Sequence, residues 1–143
     1  MNLRKDKERL KKLKRLERLL GYSFRNKSLL NQALTHKSYV NEGYKLSPGD
    51  NERLEFLGDS VLGIVVSRLL YDDCPTYDEG VLTRYKSQLV SGVTLGRIAK
   101  ELRIGEFLLL GRGEESSGGR KHTSNNLLCA LEALIGAIYL DGN

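Results

Sequence analysis

"NERLEFLGDSVLGIVV", residues 51–66, decides how the chain folds. Its apolar residues recur at three- and four-residue intervals instead of alternating, which is the period of an α-helix. Placed at about 100° per residue with Glu52 at the origin, Glu55 falls near about −60° and Asp59 near about −20°. Leu54, Leu57, Val61, Ile64 and Val65 fall between about 120° and 220°. The segment therefore predicts a helix with three carboxylates on one face and an apolar, core-facing stripe opposite. Many surface helices share that description, but two features set this one apart. Phe56 sits near about 40°, among the acids and away from the core side. Gly63 and Val66 continue the acidic stripe, so it does not stay polar. That face is expected to meet another surface.

Outward from this helix almost everything reads helical. Leu10, Leu13, Leu16 and Leu20 have helical spacing, should rest on the body, and stop at Gly21. Asn26 can cap a helix running through "LLNQAL" into Thr35. "NEGYKLSPGDN", residues 41–51, has the composition of a loop, and Asn51 is expected to cap the long helix through Tyr71. Helices follow at 78–90 and, with Ser91 as cap, at 91–102. Residues 111–124, rich in Gly and Ser, read as a loop, with Ser124 or Asn125 capping a last helix. β-branched alternation is nearly absent, and neither a repeat nor an interdomain linker interrupts the pattern. The fold class predicted is all-α, in a single domain.

The last helix, "NNLLCALEALIGAIYLDG" (125–142), carries one charge between Leu127 and Leu140, Glu132. A helix apolar on every side is buried all round. Its carboxylate then needs a partner or a proton. The helix holds no Lys or Arg, and the long helix adds more carboxylates. Acids gathered without a basic partner suit a hard divalent cation, Mg²⁺ or Mn²⁺, held by oxygen ligands. The other reading of these residues is a Glu132 bonded to backbone groups, a Tyr or a His.

The totals frame these choices. A chain of 143 residues with 40% apolar and 29% charged residues suits one globular domain. No 18-residue apolar run is present, which argues against a membrane partner. The opening twenty residues are too charged for a secretory signal. Two cysteines, Cys74 and Cys129, form neither a disulfide framework nor a metal-ligand cluster, so a cytoplasmic location is expected. The net charge is +5, but residues 1–20 carry nine Lys/Arg against three Asp/Glu, and the remainder is close to neutral. Residues 1–20 therefore read as a basic N-terminal helix or extension. It is either a solvated helix or a surface for nucleic acid or acidic lipid. His36 in "LTHKSY" reads as a hydrogen-bonded helix-end residue, and Cys74 as a loop cysteine.

"NERLEFLGDSVLG" (51–63) resembles the signature segment of the ribonuclease III family. "LGYSFRNKSLLNQALTHKSYVNE" (20–42) resembles the family's opening, and "DEGVLTRYKSQLVSGVTLGRIAKEL" (78–102) its middle. "LGRGEESSGGR" (110–120) and "EALIGAIYLDG" (132–142) resemble its last loop and closing helix. The resemblance implies a helical endonuclease domain, residues 21–143, that forms a homodimer and cleaves double-stranded RNA with Mg²⁺, for which Mn²⁺ can substitute. The products would carry 5′-phosphate and 3′-hydroxyl ends with a short 3′ overhang. By motif, Glu55 and Asp59 match the two acids of the signature and Glu132 the final metal-binding glutamate. Asp59 and Glu132 are then the catalytic pair. Glu52 and Glu79 match acids that line the cleft in some members, and Phe56 matches an aromatic that plugs into the second subunit.

One position departs from the family pattern. An Asp is expected three residues before the closing glutamate, in a pattern like "LADxxEA". Here "LLCALEA" (127–133) places Cys129 there. A thiol is a soft, mostly protonated and poor ligand for Mg²⁺, so Cys129 is read as packing in that place, with a thiolate ligand to the metal as the other reading; the alternative to an active enzyme is a catalytically weakened or inactive member that binds RNA. The chain also stops where a double-stranded-RNA-binding domain would follow in most bacterial members, and is expected to be truncated.

Overall fold

The computed structural model describes residues 3–44, 46, 48–121 and 125–142. α1 (Leu3–Leu20) ends at Gly21, whose φ of +64° is the left-handed conformation that closes helices and suits glycine. α2 (Lys27–Ala33) starts at Asn26, whose side-chain oxygen accepts from the backbone N–H of Ser28 and Leu29, as expected. α3 (Lys37–Asn41) is capped by His36, and α4 (Glu52–Asp73) is the long helix. α5 (Glu79–Leu89) and α6 (Gly92–Glu101) are capped by Asp78 and Ser91. A single 3-10 turn (Ile104–Glu106), the short α7 (Arg112–Ser116) and α8 (Asn125–Gly142) complete the chain. Among the described residues no strand forms; Thr35 and Leu109 make one isolated parallel bridge.

α8 is the axis of the molecule. It packs most extensively on α4 and then on α6 and α2. Leu127, Ala130, Leu131, Ala133, Leu134 and Ala137 of α8 are buried among Leu30, Leu34, Leu54, Leu95, Ile104 and Phe107. Its last turn is less enclosed than its composition predicts, since Tyr139 and Leu140 are exposed. No helix among the described residues is long and apolar enough to cross a membrane.

Several expectations need correction. Asn51 is buried but makes no side-chain cap; its Nδ2 donates to the Ala33 carbonyl at 3.3 Å. That carbonyl closes α2 and lacks a helical partner, so the asparagine is used there, while Asp50 Oδ1 accepts from the Glu52 N–H at 3.1 Å. Residues 111–124 are not all loop, because α7 forms inside them. Ser124, offered as a cap for α8, lies outside the described residues, and Asn125 is the helix's first residue. On α1, Leu13 and Leu16 are buried as expected, but Leu10 is exposed and Arg9 is buried instead. The predicted core stripe of α4 is buried only at Leu54; Ile64 and Val65 are exposed, and the side of the far half that is partly covered carries Leu62, Val66 and Leu70 instead.

Candidate acidic site between two helices

Two mid-helix glycines set the site. A Cβ on Gly58 of α4 would lie 1.7 Å from the Glu132 carbonyl oxygen. A Cβ on Gly136 of α8 would lie 2.3 Å from the Leu54 carbonyl oxygen. The two helix backbones are therefore in direct contact, which no side chain larger than hydrogen permits. Glu55 and Asp59 flank Gly58 on α4, and Glu132 lies one turn before Gly136 on α8. The glycine contact thus brings acids of both helices to one edge of the crossing.

The electrostatics record that proximity. Burial pushes the Glu132 carboxyl above its ordinary range, and the charges of Asp59 and Glu55 push the same way. Among the described residues no ion pair reaches Glu55, Asp59 or Glu132. Glu132 is only half-buried, and what it faces is other carboxylates, not a cation.

Cys129 sits on the same edge. Its Sγ accepts from Asn125 Nδ2 at 3.3 Å. Burial pushes the thiol up to about 12, helped by the facing Glu55 carboxylate and by the charge of Glu132. The group is therefore neutral at physiological pH.

The other residues singled out in the sequence fare differently. Glu52 stands at the start of α4 but is ion-paired with Lys37 at 2.9 Å, a partner the sequence reading missed. Glu79 opens α5 and accepts from Thr83 Oγ1 at 2.7 Å; among the described residues no hydrogen bond or ion pair joins it to the three acids. Phe56 projects from α4 with 80% of its surface exposed. His36 caps α3, with Nδ1 2.8 Å from Ser38 Oγ, and Cys74 closes α4, which are the structural roles expected of them. As the side chains stand, no three of the described Asp, Glu, His and Cys converge into a set that could hold a metal ion. Sequence reading also missed Gly58 and Gly136, although a glycine inside each of two strongly helical segments was a visible sign of close helix packing.

An all-α domain with carboxylates gathered at a glycine-mediated helix crossing is the class that fold and site define. The chain belongs to the ribonuclease-III-like family, whose pattern matches residues 26–143. It is 52% identical over 130 residues to Ribonuclease 3 of Syntrophobacter fumaroxidans, covering 91% of this chain and 53% of that protein. It is also 52% identical over 131 residues to Ribonuclease 3 of Colwellia psychrerythraea, covering 92% of this chain and 46% of that protein. The chain spans about half the length of these relatives. A solved nuclease domain of ribonuclease III from Campylobacter jejuni matches with a TM-score of 0.78 at 43% identity, covering 88% of this chain and 83% of that one. That structure is described as showing flexibility in a region involved in dimer formation. Dicer from Pichia stipitis matches with a TM-score of 0.59 at 28% identity, covering 82% of this chain and 47% of that one.

Proposed function

We propose that this domain is an endoribonuclease of the cytoplasm that hydrolyses phosphodiester bonds of double-stranded RNA with a divalent ion, Mg²⁺ or Mn²⁺. The products would be 5′-phosphate and 3′-hydroxyl ends with a short 3′ overhang. The observation that carries this reading is that the Gly58–Gly136 contact brings Glu55, Asp59 and Glu132 to one helix crossing, where among the described residues none of them is ion-paired. Hard oxygen donors that repel one another fit a hard divalent ion in kind. Closing on an ion requires side-chain rotation, since the present rotamers do not converge. Glu55, Asp59 and Glu132 would hold it. When bound, such an ion supplies Lewis acidity toward a phosphoryl oxygen and eases activation of water. Asp59 and Glu132 then serve catalysis from opposite helices. Glu52 and Glu79 line the approach, Glu52 with its charge largely offset by Lys37.

The assay is cleavage of a long RNA duplex with Mg²⁺, with Mn²⁺ and with chelator, against single-stranded RNA. Metal-dependent cutting of the duplex alone is expected. Duplex binding without cutting under either metal would instead support the second reading, a family member that binds RNA but has lost catalysis. Cys129 favours that reading, because a neutral thiol leaves the ion one carboxylate short.

The domain is proposed to act as a homodimer across the α4 face. Phe56 projects beside a groove lined by Leu29, Gln32, Leu57 and Leu140. Further along, Ile64, Leu69 and Tyr71 of α4 and Val93 of α6 are also exposed. A two-fold axis would let each Phe56 enter the groove of the other copy, an isologous contact. Each copy would contribute one acidic site, so two cuts across a duplex follow from the symmetry. The basic exposed side of α1 is the remaining candidate for RNA phosphates.

A further inference from the structure

α1 buries two charges and treats them differently. Glu17 is 7% exposed, and its carboxylate accepts from the Phe24 N–H at 2.6 Å and from the Lys27 ammonium. Arg9 is 8% exposed and, among the described residues, has no carboxylate within ion-pairing distance. Its Nε donates to Asn31 Oδ1 at 2.7 Å and its Nη1 to the Phe107 carbonyl at 2.5 Å, both neutral acceptors. Its Nη2 is buried and finds no acceptor among the described residues. Glu17 cannot serve, because it lies roughly 12 Å along the helix and is already matched. A buried charge without a counter-charge is among the costliest arrangements a fold retains. Burial accordingly pulls the guanidinium down to about 10.

Arg9 forms part of the wall of a cavity of about 560 Å³, within the size range of small-molecule sites. Lys12, one turn further along α1, lines the same cavity and makes no ion pair among the described residues. Arg120 is also on the wall, held in place by Glu115 and the carbonyls of Gly105 and Leu108. Of the two acids on the wall, Glu106 is already paired with Arg15 and Arg103, leaving Glu8 alone against Arg9 and Lys12. Asp6 borders a second cavity on another side of Arg9 and is likewise beyond ion-pairing distance. Leu46, Leu108 and Leu109 give the cavity an apolar flank. None of the three acids at the helix crossing lines it.

We propose that this cavity binds a phosphate monoester or free phosphate between Lys12 and the buried Arg9, supplying a counter-charge that none of the described residues gives Arg9. Two adjacent cations favour a dianion over chloride, the Lys12 ammonium is free to meet phosphate oxygens, and a small turn of the Arg9 guanidinium would bring its unpartnered Nη2 to the cavity. The apolar flank would face the organic part of a monoester. The same group could come from free phosphate, from a nucleoside monophosphate or from a 5′-phosphorylated RNA end.

The test heats the intact 143-residue chain in EDTA, which removes any ion that could hold phosphate at the acidic crossing. Inorganic phosphate is titrated against chloride at matched ionic strength, and binding is followed in parallel by calorimetry. A saturable rise in Tm specific to phosphate is expected. Lys12→Gln, on an exposed turn, should leave Tm without phosphate unchanged and weaken phosphate binding about tenfold, the scale of losing one charged partner. Arg9→Met should abolish the phosphate-dependent rise; should that variant not fold, Lys12→Gln decides alone. Displacement of phosphate by a 5′-phosphorylated but not a 5′-hydroxyl oligonucleotide would assign the ligand to RNA ends, and displacement by GMP alone to free nucleotides. Absence of a phosphate-specific shift, or an undiminished shift in Lys12→Gln, overturns the proposal.

Discussion

Gly58 and Gly136 touch across the α4–α8 crossing, each so close to the opposite backbone that an added Cβ would fall within 3.0 Å of the other glycine's nitrogen. Gly58 is the tighter of the two. Gly58→Ala should therefore push α8 outward at the Glu132 carbonyl and cost about 3 kcal/mol or more, the upper range for overpacking a core. Urea denaturation measures the loss. A Gly58→Ala chain of wild-type stability would show that the crossing is looser than described.

Glu132 gives a signed pH prediction. Its folded-state value is raised, so ionisation opposes folding, and the opposition develops as pH rises from the ordinary glutamate range through the raised value. Glu132→Gln removes it. In chelator at pH 7 the variant should be more stable than wild type by about 0.5 kcal/mol, the scale of a screened charge pair. The difference should vanish at pH values below the ordinary glutamate range. Activity in Mg²⁺ should be lost at the same time. A variant less stable than wild type at neutral pH would mean that Glu132 holds the fold together.

Cys129 stands where the family resemblance leads to the expectation of an Asp. Wild-type cleavage should be slow and need unusually high Mg²⁺, with Mn²⁺ the better activator because it tolerates softer surroundings. Cys129→Asp should restore cleavage at ordinary Mg²⁺, and Cys129→Ser should change little. A second readout does not depend on turnover: Cys129→Asp should lower Tm in chelator by adding a fourth repelling carboxylate, and Mg²⁺ should raise it again. An unchanged Mg²⁺ dependence would leave the cysteine with packing alone.

Phe56 tests the dimer. In the single chain its ring is almost fully exposed, so Phe56→Ala should leave Tm at low concentration nearly unchanged. Association should weaken by about 2 kcal/mol per copy, the value of burying one aromatic side chain. Sedimentation at micromolar concentration reads this directly, and a wild-type chain that runs as a monomer there would remove the basis for the two-fold arrangement.

Asp141 anchors the end of α8 to the start of the body. Its carboxylate accepts from the N–H of Arg25 and of Asn26, both at 2.8 Å, and from the Tyr22 hydroxyl at 3.0 Å. Burial alone would push the group up, but the amides of Asn26 and Arg25 and the Tyr22 hydroxyl outweigh it and hold the carboxyl below its ordinary range. The resulting stability is present above the ordinary Asp value and is lost as pH falls through the depressed one. Asp141→Asn should therefore lower Tm by several degrees at pH 7, as expected for losing a charged acceptor of two backbone donors. The gap should narrow steadily as the pH is taken down through the acid range.

How much of this was legible in the chain depends on the range of the interaction. Local signals were read well: the helical period of α4 and α8, the Asn26 cap, the stop at Gly21, and the odd angle of Phe56 all depend on residues within a turn or two. The Asn51 cap failed because a distant group, the Ala33 carbonyl, had the stronger claim on its side chain. The core stripe of α4 failed for a related reason. Periodicity reports which residues share a face, but whether that face is covered depends on where the neighbouring helix crosses.

The sequence by itself determined that the chain is helical, that its acids lie on one side of one helix with a further acid on another, and that Cys129 stands three residues before that acid. Only the tertiary structure decided that those acids lie along one glycine-mediated helix crossing, that Glu52 pairs with Lys37, and that Arg9 instead of Leu10 turns inward. Apolar periodicity survives in one dimension because it is repeated many times over. A single close approach, a single ion pair or a single buried cation depends on two segments far apart in the chain, and its energy exists only once packing has brought them together.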